Sequence, residues 1–164
     1  MRDGAGFDEF YATTARTVVA QVYAMVGDLA EAEDAVAEAY ARAWQRWHQI
    51  QGYADPTGWV RTVAYRIAVS SWRRARNRRA AQQLSAPPSV TQDASTLMLV
   101  DALRLLPASQ RRAVVLHHLV GLSVAEISAE TGGSVSAVKQ WLSRGRRALA
   151  IALGDDLEEV DSHA

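Results

Sequence analysis

The chain is predicted to be all-α and to form two small helical domains joined by a flexible linker. Three observations lead there. Apolar residues recur at helical spacing along most of the 164 residues, and no segment alternates with the period of a strand. The stretch AAQQLSAPPSVTQDAS, residues 80–95, sustains neither pattern and contains Pro87-Pro88, which cannot continue a helix. With 49% apolar residues, the length suffices for one or two compact cores.

Each helix has its own signals. The first is expected over residues 7–26, with Tyr11, Ala15, Val18, Val22 and Met25 inward and Gly27-Asp28 as its break. The second is expected over residues 30–50, burying Val36, Tyr40, Ala43 and Trp47 with Trp44 alongside. Asp55 followed by Pro56 is an N-cap with proline at the first helical position, so a third helix starts there and continues to residue 79. Val60, Val63, Ala64 and Ile67 face its core, whereas Arg66, Ser70, Arg73 and Arg74 share another face. Beyond the linker, Leu99, Leu103 and Leu106 mark a helix that stops before Pro107. Val115, Leu116 and Leu119 mark the next, up to Gly121. The tail after Gly154 is acidic and expected to fray.

The densest information lies at residues 123–149. Ser123 can cap free backbone N–H groups while Glu126 reaches back, as in a capping box, and Val124 and Ile127 point that short helix inward. Thr131-Gly132-Gly133 ends it, because glycine tolerates the positive φ of a sharp exit. A second helix starts near Ser134, with Val138, Leu142, Gly145 and Leu149 on one stripe. Lys139, Arg144, Arg146 and Arg147 lie within it, and no acid does. A capped helix, a glycine turn and a basic amphipathic helix make a helix-turn-helix, which enters the DNA major groove.

Charge supports a nucleic-acid partner through its distribution, since 18 basic and 18 acidic residues cancel. Between Asp55 and Asp93 there is no acid, while Arg61, Arg66, Arg73, Arg74, Arg76, Arg78 and Arg79 fall in that window. Acids gather instead at Asp28, Glu31, Glu33, Asp34 and Glu38, and again at Asp155, Asp156, Glu158, Glu159 and Asp161.

Other functions find little support. Zero cysteines remove disulfides, thiolate metal sites and a cysteine nucleophile. The acidic cluster fits a helix surface better than a metal site, and His117-His118, adjacent on a helix, splay apart by about 100° and cannot chelate together. No metal, cofactor or catalytic constellation is expected, so the chain is not read as an enzyme. Trp44, Trp47, Trp59 and Trp72 are read as mainly core residues, Trp72 being the exception to consider because it sits in the arginine run. No stretch is long and apolar enough to cross a bilayer, and residues 1–3 lead into no signal-peptide core. The cytoplasm is the expected compartment, without membrane insertion.

Three separated motifs, in order, resemble the extracytoplasmic-function sigma factors of the bacterial sigma-70 family, in particular their actinobacterial sigma-E-like group. Gly27-Asp28 followed by AEAEDAVAEAYARAW, residues 30–44, is similar to the region 2 helix that docks on the clamp helices of the RNA polymerase largest subunit. DPTGWVRTVAYRIAVSSWRRARNRR, residues 55–79, is similar to the segment that opens and reads the minus-10 element. LPASQRRAVVLHHLVGLSVAEISAETGGSVSAVKQWLSRGRRAL, residues 106–149, is similar to region 4, which reads the minus-35 element and contacts the polymerase flap. The resemblance implies a region 2 domain at residues 1–79, a linker at 80–95, a region 4 helix-turn-helix at 96–153 and an acidic tail at 154–164.

It also implies site residues. Ser136, Lys139, Gln140, Ser143 and Arg144 would approach minus-35 base edges, with Arg147 clamping a phosphate. Tyr53, Arg61, Arg66, Ser70, Arg73 and Arg74 would serve the minus-10 element, the loop at residues 51–55 holding a base that leaves the stack. Glu31, Glu33, Asp34, Glu38 and Arg42 would meet core RNA polymerase. Promoter DNA and, as in many relatives, an anti-sigma factor are the other implied partners. Four positions depart from the family pattern: Arg66 for a common asparagine, Ser70 for an aspartate, Ala37 for a glutamine and Trp141 for an arginine. Trp141 is read as covering the small domain's core. Two alternatives stay open at this point, a stand-alone helix-turn-helix regulator that binds duplex DNA without polymerase, and an enzyme or RNA-binding adaptor using the arginine-rich helix.

Overall fold

A computed structural model describes the backbone of residues 4–79 and 93–161, and side chains there except at 72, 75–79 and 155–161. Residues 80–92 of the expected linker lie outside that range, as do the side chains of Trp72, Arg76, Arg78 and Arg79. Every described element is helical, and the chain divides into two units, residues 1–90 and 91–164.

The first unit contains α1 (Gly4–Val26), α2 (Leu29–Gln45), α3 (Trp47–Ile50) and α4 (Pro56–Arg79), with α2 packed against both α1 and α4. Gly27 exits α1 at φ 78°, and Asp28 caps α2 by accepting the Glu31 N–H at 3.1 Å. The core is Val18, Val22 and Met25 of α1, Val36, Tyr40 and Ala43 of α2, and Val60, Ala64 and Ala68 of α4. Tyr40 is buried with its hydroxyl 2.6 Å from Thr14 Oγ1, and that burial pushes its pKa above the ordinary value despite the hydrogen bond.

Two expectations change here. Tyr11 is 48% exposed, because Phe7 and Phe10 take the inward positions and pack on Tyr40 and Trp47. The single helix expected over residues 30–50 is broken at Arg46, whose φ of −115° and ψ of 16° leave the helical region. The break redirects the chain so that Trp47 and Ile50 both bury.

The second unit contains α5 (Ala94–Arg104), α6 (Ala108–Val115), a π-helical turn (Leu116–Val120), α7 (Val124–Thr131) and α8 (Val135–Asp161). Asp93 caps α5 by accepting the Thr96 N–H at 2.9 Å, so helix begins inside the stretch read as linker. Hydrogen bonds from the Thr96 backbone and hydroxyl hold the Asp93 carboxyl below its ordinary range. The core joins Val100, Leu103, Leu106, Val114, Val115, Leu116, Ile127, Val138 and Leu142. Where fraying was expected after Gly154, the backbone stays helical to Asp161.

The π turn was not anticipated. Leu119, one of the apolar residues that mark this helix in the sequence, is 45% exposed on its wider winding. Within the turn the His117 and His118 rings lie edge-to-face with centroids 4.8 Å apart. Gly121 at φ 87° ends the turn, and the Leu122 carbonyl lies 2.8 Å from His117 Nδ1.

Candidate nucleic-acid interface

In the second unit the reading surface is assembled from local chemistry. Ser123 Oγ accepts the Glu126 N–H at 3.2 Å and donates to the Glu126 carboxylate at 3.1 Å, so serine and glutamate hold the start of α7 together. Gly132 leaves that helix at φ 80°, Thr131 Oγ1 donates to the Ile127 carbonyl at 2.7 Å, and Ser128 Oγ donates to the Gly133 carbonyl at 2.6 Å. Ser134 Oγ then accepts the Ala137 N–H at 3.0 Å and starts α8. A Cβ at Gly133 would overlap the Trp141 ring, so the half-buried tryptophan lies on the turn of its own module.

Along α8, Val138, Leu142 and Gly145 are buried. Ser136, Lys139, Gln140, Ser143, Arg144 and Arg147 are all exposed, so one helix face carries the whole predicted set. Sequence reading missed Val135, an apolar side chain 45% exposed at the start of the same helix, suited to a thymine methyl. Arg146, read from the sequence only as one of the basic residues of this helix, donates from its Nε to the Leu142 carbonyl at 3.2 Å, and its charge acts on His118.

Burial first, then His117 and Arg146, hold the His118 pKa below its ordinary 6.5. Protonation is therefore easier in the unfolded chain. The stability linked to this group is complete above about pH 6.5 and declines as pH falls toward the lower folded value. Thermal unfolding should show the wild type losing more Tm between pH 7.5 and 5.5 than His118→Gln; equal losses would refute the linkage.

The first unit carries a groove of about 490 Å³ between α2 and α4. Glu31, Asp34, Glu38 and Arg42 line it from α2, and Arg66, Ser70, Ser71 and Arg74 from α4, over Val63 and Ile67. Residues that the sequence assigned to two partners thus share one surface feature. Arg42 pairs with Glu38 along α2, and among the described residues no ion pair joins the two walls. Glu33 and Arg73 are exposed and stand outside the groove lining.

Tyr53 is 47% exposed in the loop between α3 and α4. Arg61 departs from its assignment. It is 3% exposed, with Nη2 3.8 Å from Asp55 Oδ2, because it lies on the Val60–Ala64 side of α4 that faces the helical core. A guanidinium enclosed in this way is not presented to DNA.

Residues 10–78 match the sigma-70 region 2 family, and residues 96–149 match sigma-70 region 4. The chain is 33% identical over 138 residues to the ECF RNA polymerase sigma factor SigL of Mycobacterium tuberculosis, covering 79% of this chain and 78% of that protein. It is 31% identical over 162 residues to the RNA polymerase sigma-E factor of Streptomyces avermitilis, covering 96% and 88%. Its fold is similar to that of the sigma factor RpoE from Bartonella quintana, solved in complex with the anti-sigma factor NepR, with a TM-score of 0.76, 20% identity and coverage of 91% and 97%. Two linked helical units, a helix-turn-helix with an outward basic face and relatives of this similarity lead to one assignment: the chain belongs to the extracytoplasmic-function sigma factors of the sigma-70 family, transcription initiation factors that bind core RNA polymerase and direct it to promoters.

Proposed function

We propose that three surfaces of this chain divide the work of initiation. The outward face of α8, with Ser136, Lys139, Gln140, Ser143, Arg144 and Arg147, reads the minus-35 element. Tyr53 with Arg66, Ser70, Arg73 and Arg74 engages and opens the minus-10 element. The acidic side of α2, with Glu31, Glu33, Asp34, Glu38 and Arg42, meets core polymerase. The observation that carries this reading is the uniform exposure of the six α8 residues on a helix whose opposite face is buried, directly after a capped helix and a tight turn. The factor binds and positions without making or breaking covalent bonds, and it acts in the cytoplasm beside the polymerase. An anti-sigma factor is the proposed inhibitor, by analogy with RpoE in its complex with NepR.

In vitro transcription with purified core polymerase tests the division. Charge reversal at Glu33 and Asp34 should weaken core binding and lower initiation at every promoter alike, since it removes the common partner. Arg144→Ala should instead relax discrimination at the minus-35 element by about 1 to 3 kcal/mol. Loss of Arg73 and Arg74 should lower the slope of log affinity against log salt by about one unit per phosphate contact removed. A stand-alone regulator would bind duplex promoter DNA specifically without polymerase and be indifferent to the Glu33 and Asp34 reversal.

A further inference from the structure

The buried Arg61 has a role that exposure to DNA would not provide. Enclosing a guanidinium is costly unless a carboxylate and hydrogen bonds compensate it, so its surroundings have to be organised around it. The carboxylate 3.8 Å away belongs to Asp55, the last residue before α4, whose side chain is 59% exposed. Asp55 divides its two oxygens: Oδ1 accepts the Gly58 N–H at 2.9 Å, capping the helix, while Oδ2 faces Arg61. Gly58 makes that possible, because a Cβ there would overlap Asp55 Oδ2 and lie 3.3 Å from Arg61 Nη2.

The other end of the loop is also fixed. Gln51 N donates to the Trp47 carbonyl at 2.9 Å, Gly52 N to Gln49 at 3.1 Å and Tyr53 N to Ile50 at 3.0 Å, and Ile50 is fully buried. Tyr53, 47% exposed, is therefore presented between two anchors, one built on Ile50 and the other on Asp55 and Arg61. We propose that Arg61 is a positioning residue for promoter opening, acting with Asp55 and Gly58 to hold the loop at residues 51–55 in the geometry in which Tyr53 receives an unstacked base. The inference rests on the reading of that loop as the base-holding element. Pre-organisation of this kind matters because a displacement of about an ångström in a group that must meet its target can cost about a hundredfold.

The test uses the full chain with core polymerase and a promoter carrying 2-aminopurine in the minus-10 element, whose fluorescence rises on unstacking. Arg61→Met keeps the length and removes the charge; Gly58→Ala displaces the Asp55 carboxylate and removes neither charge. Both should slow or reduce the fluorescence rise by about tenfold. Core binding, measured by competition, should stay within about twofold, since the clamp-facing residues are unaltered. Arg61→Lys, which keeps the charge, should restore much of the signal. Unchanged opening in Arg61→Met and Gly58→Ala overturns the proposal, as does a parallel loss of core binding, which would mark a merely structural role. Tyr53→Ala separates the layers. If it abolishes the rise while the other two variants do not, only the positioning role fails; if it leaves the rise intact, the base-holding reading fails and the positioning role with it.

Discussion

Gly145→Leu is expected to unfold the second unit under conditions where the first remains folded, and with it to abolish initiation that depends on a minus-35 element. Gly145 lies where α8 crosses α6. A Cβ built on it comes within 2.7 Å of Val114 Cγ2, 3.3 Å of the Gln110 carbonyl oxygen and 3.4 Å of Leu106 Cδ2. Val114 and Leu106 are themselves buried, so neither can swing into solvent. Forcing a leucine into that contact should cost about 3 kcal/mol through strain and displaced neighbours. A domain stable by about 5 to 15 kcal/mol loses a large part of its margin, and the Tm of a unit of this size should fall by about 12 to 24 °C. Gly145→Ala is the informative control: the gain of about 1 kcal/mol in helix propensity offsets part of the clash with one methyl group. Calorimetry would resolve the two units, and a Tm loss below about 4 °C for the leucine variant would show that α6 and α8 separate easily.

The second large effect is expected at Trp47. Its ring is 7% exposed, stacked on Phe10 at 5.0 Å between centroids and edge-on to Phe7 at 5.4 Å, where α1 meets the start of α3. Trp47→Ala should destabilise the first unit by about 3 to 5 kcal/mol through lost contacts and a cavity. Trp47→Phe should behave differently. The indole N–H has no hydrogen-bond partner among the described residues, so the substitution removes an unsatisfied buried donor along with some volume and should cost less than about 1.5 kcal/mol. Because α3 leads into the loop that carries Tyr53, the alanine variant should also lose promoter opening at temperatures where the phenylalanine variant retains it. Chemical denaturation of both variants tests this, and equal losses would mean that the indole nitrogen is not a liability.

Much of the fold was legible because the relevant signals are local. Asp28, Asp55 and Ser123 accept backbone N–H groups three residues ahead, and Gly27, Gly121 and Gly132 take the positive φ that ends a helix, all within a few residues of chain. The exposed face of α8 could be read from helical periodicity, since burying Val138, Leu142 and Gly145 turns Lys139, Gln140, Ser143, Arg144 and Arg147 outward. Periodicity failed where a helix leaves its regular winding. The break at Arg46 and the π turn at Leu116–Val120 each shift the facing of nearby residues, so Trp47 and Ile50 both bury and Leu119 is exposed.

By itself the amino-acid sequence determined the helical class, the two-unit plan, the helix-turn-helix and the segregation of charge, because caps, glycine turns and apolar spacing act through neighbours in the chain. Only the tertiary structure decided which charges stand together. It set Glu31, Asp34 and Glu38 across one groove from Arg66 and Arg74, and it buried Arg61, which the sequence had grouped with the exposed arginines, to meet Asp55. It likewise brought Gly145 against α6, a helix distant along the chain, with no room for a large side chain. The physical reason is the same in each case: burial and the Coulomb field depend on distances between elements, and these are fixed only when helices pack.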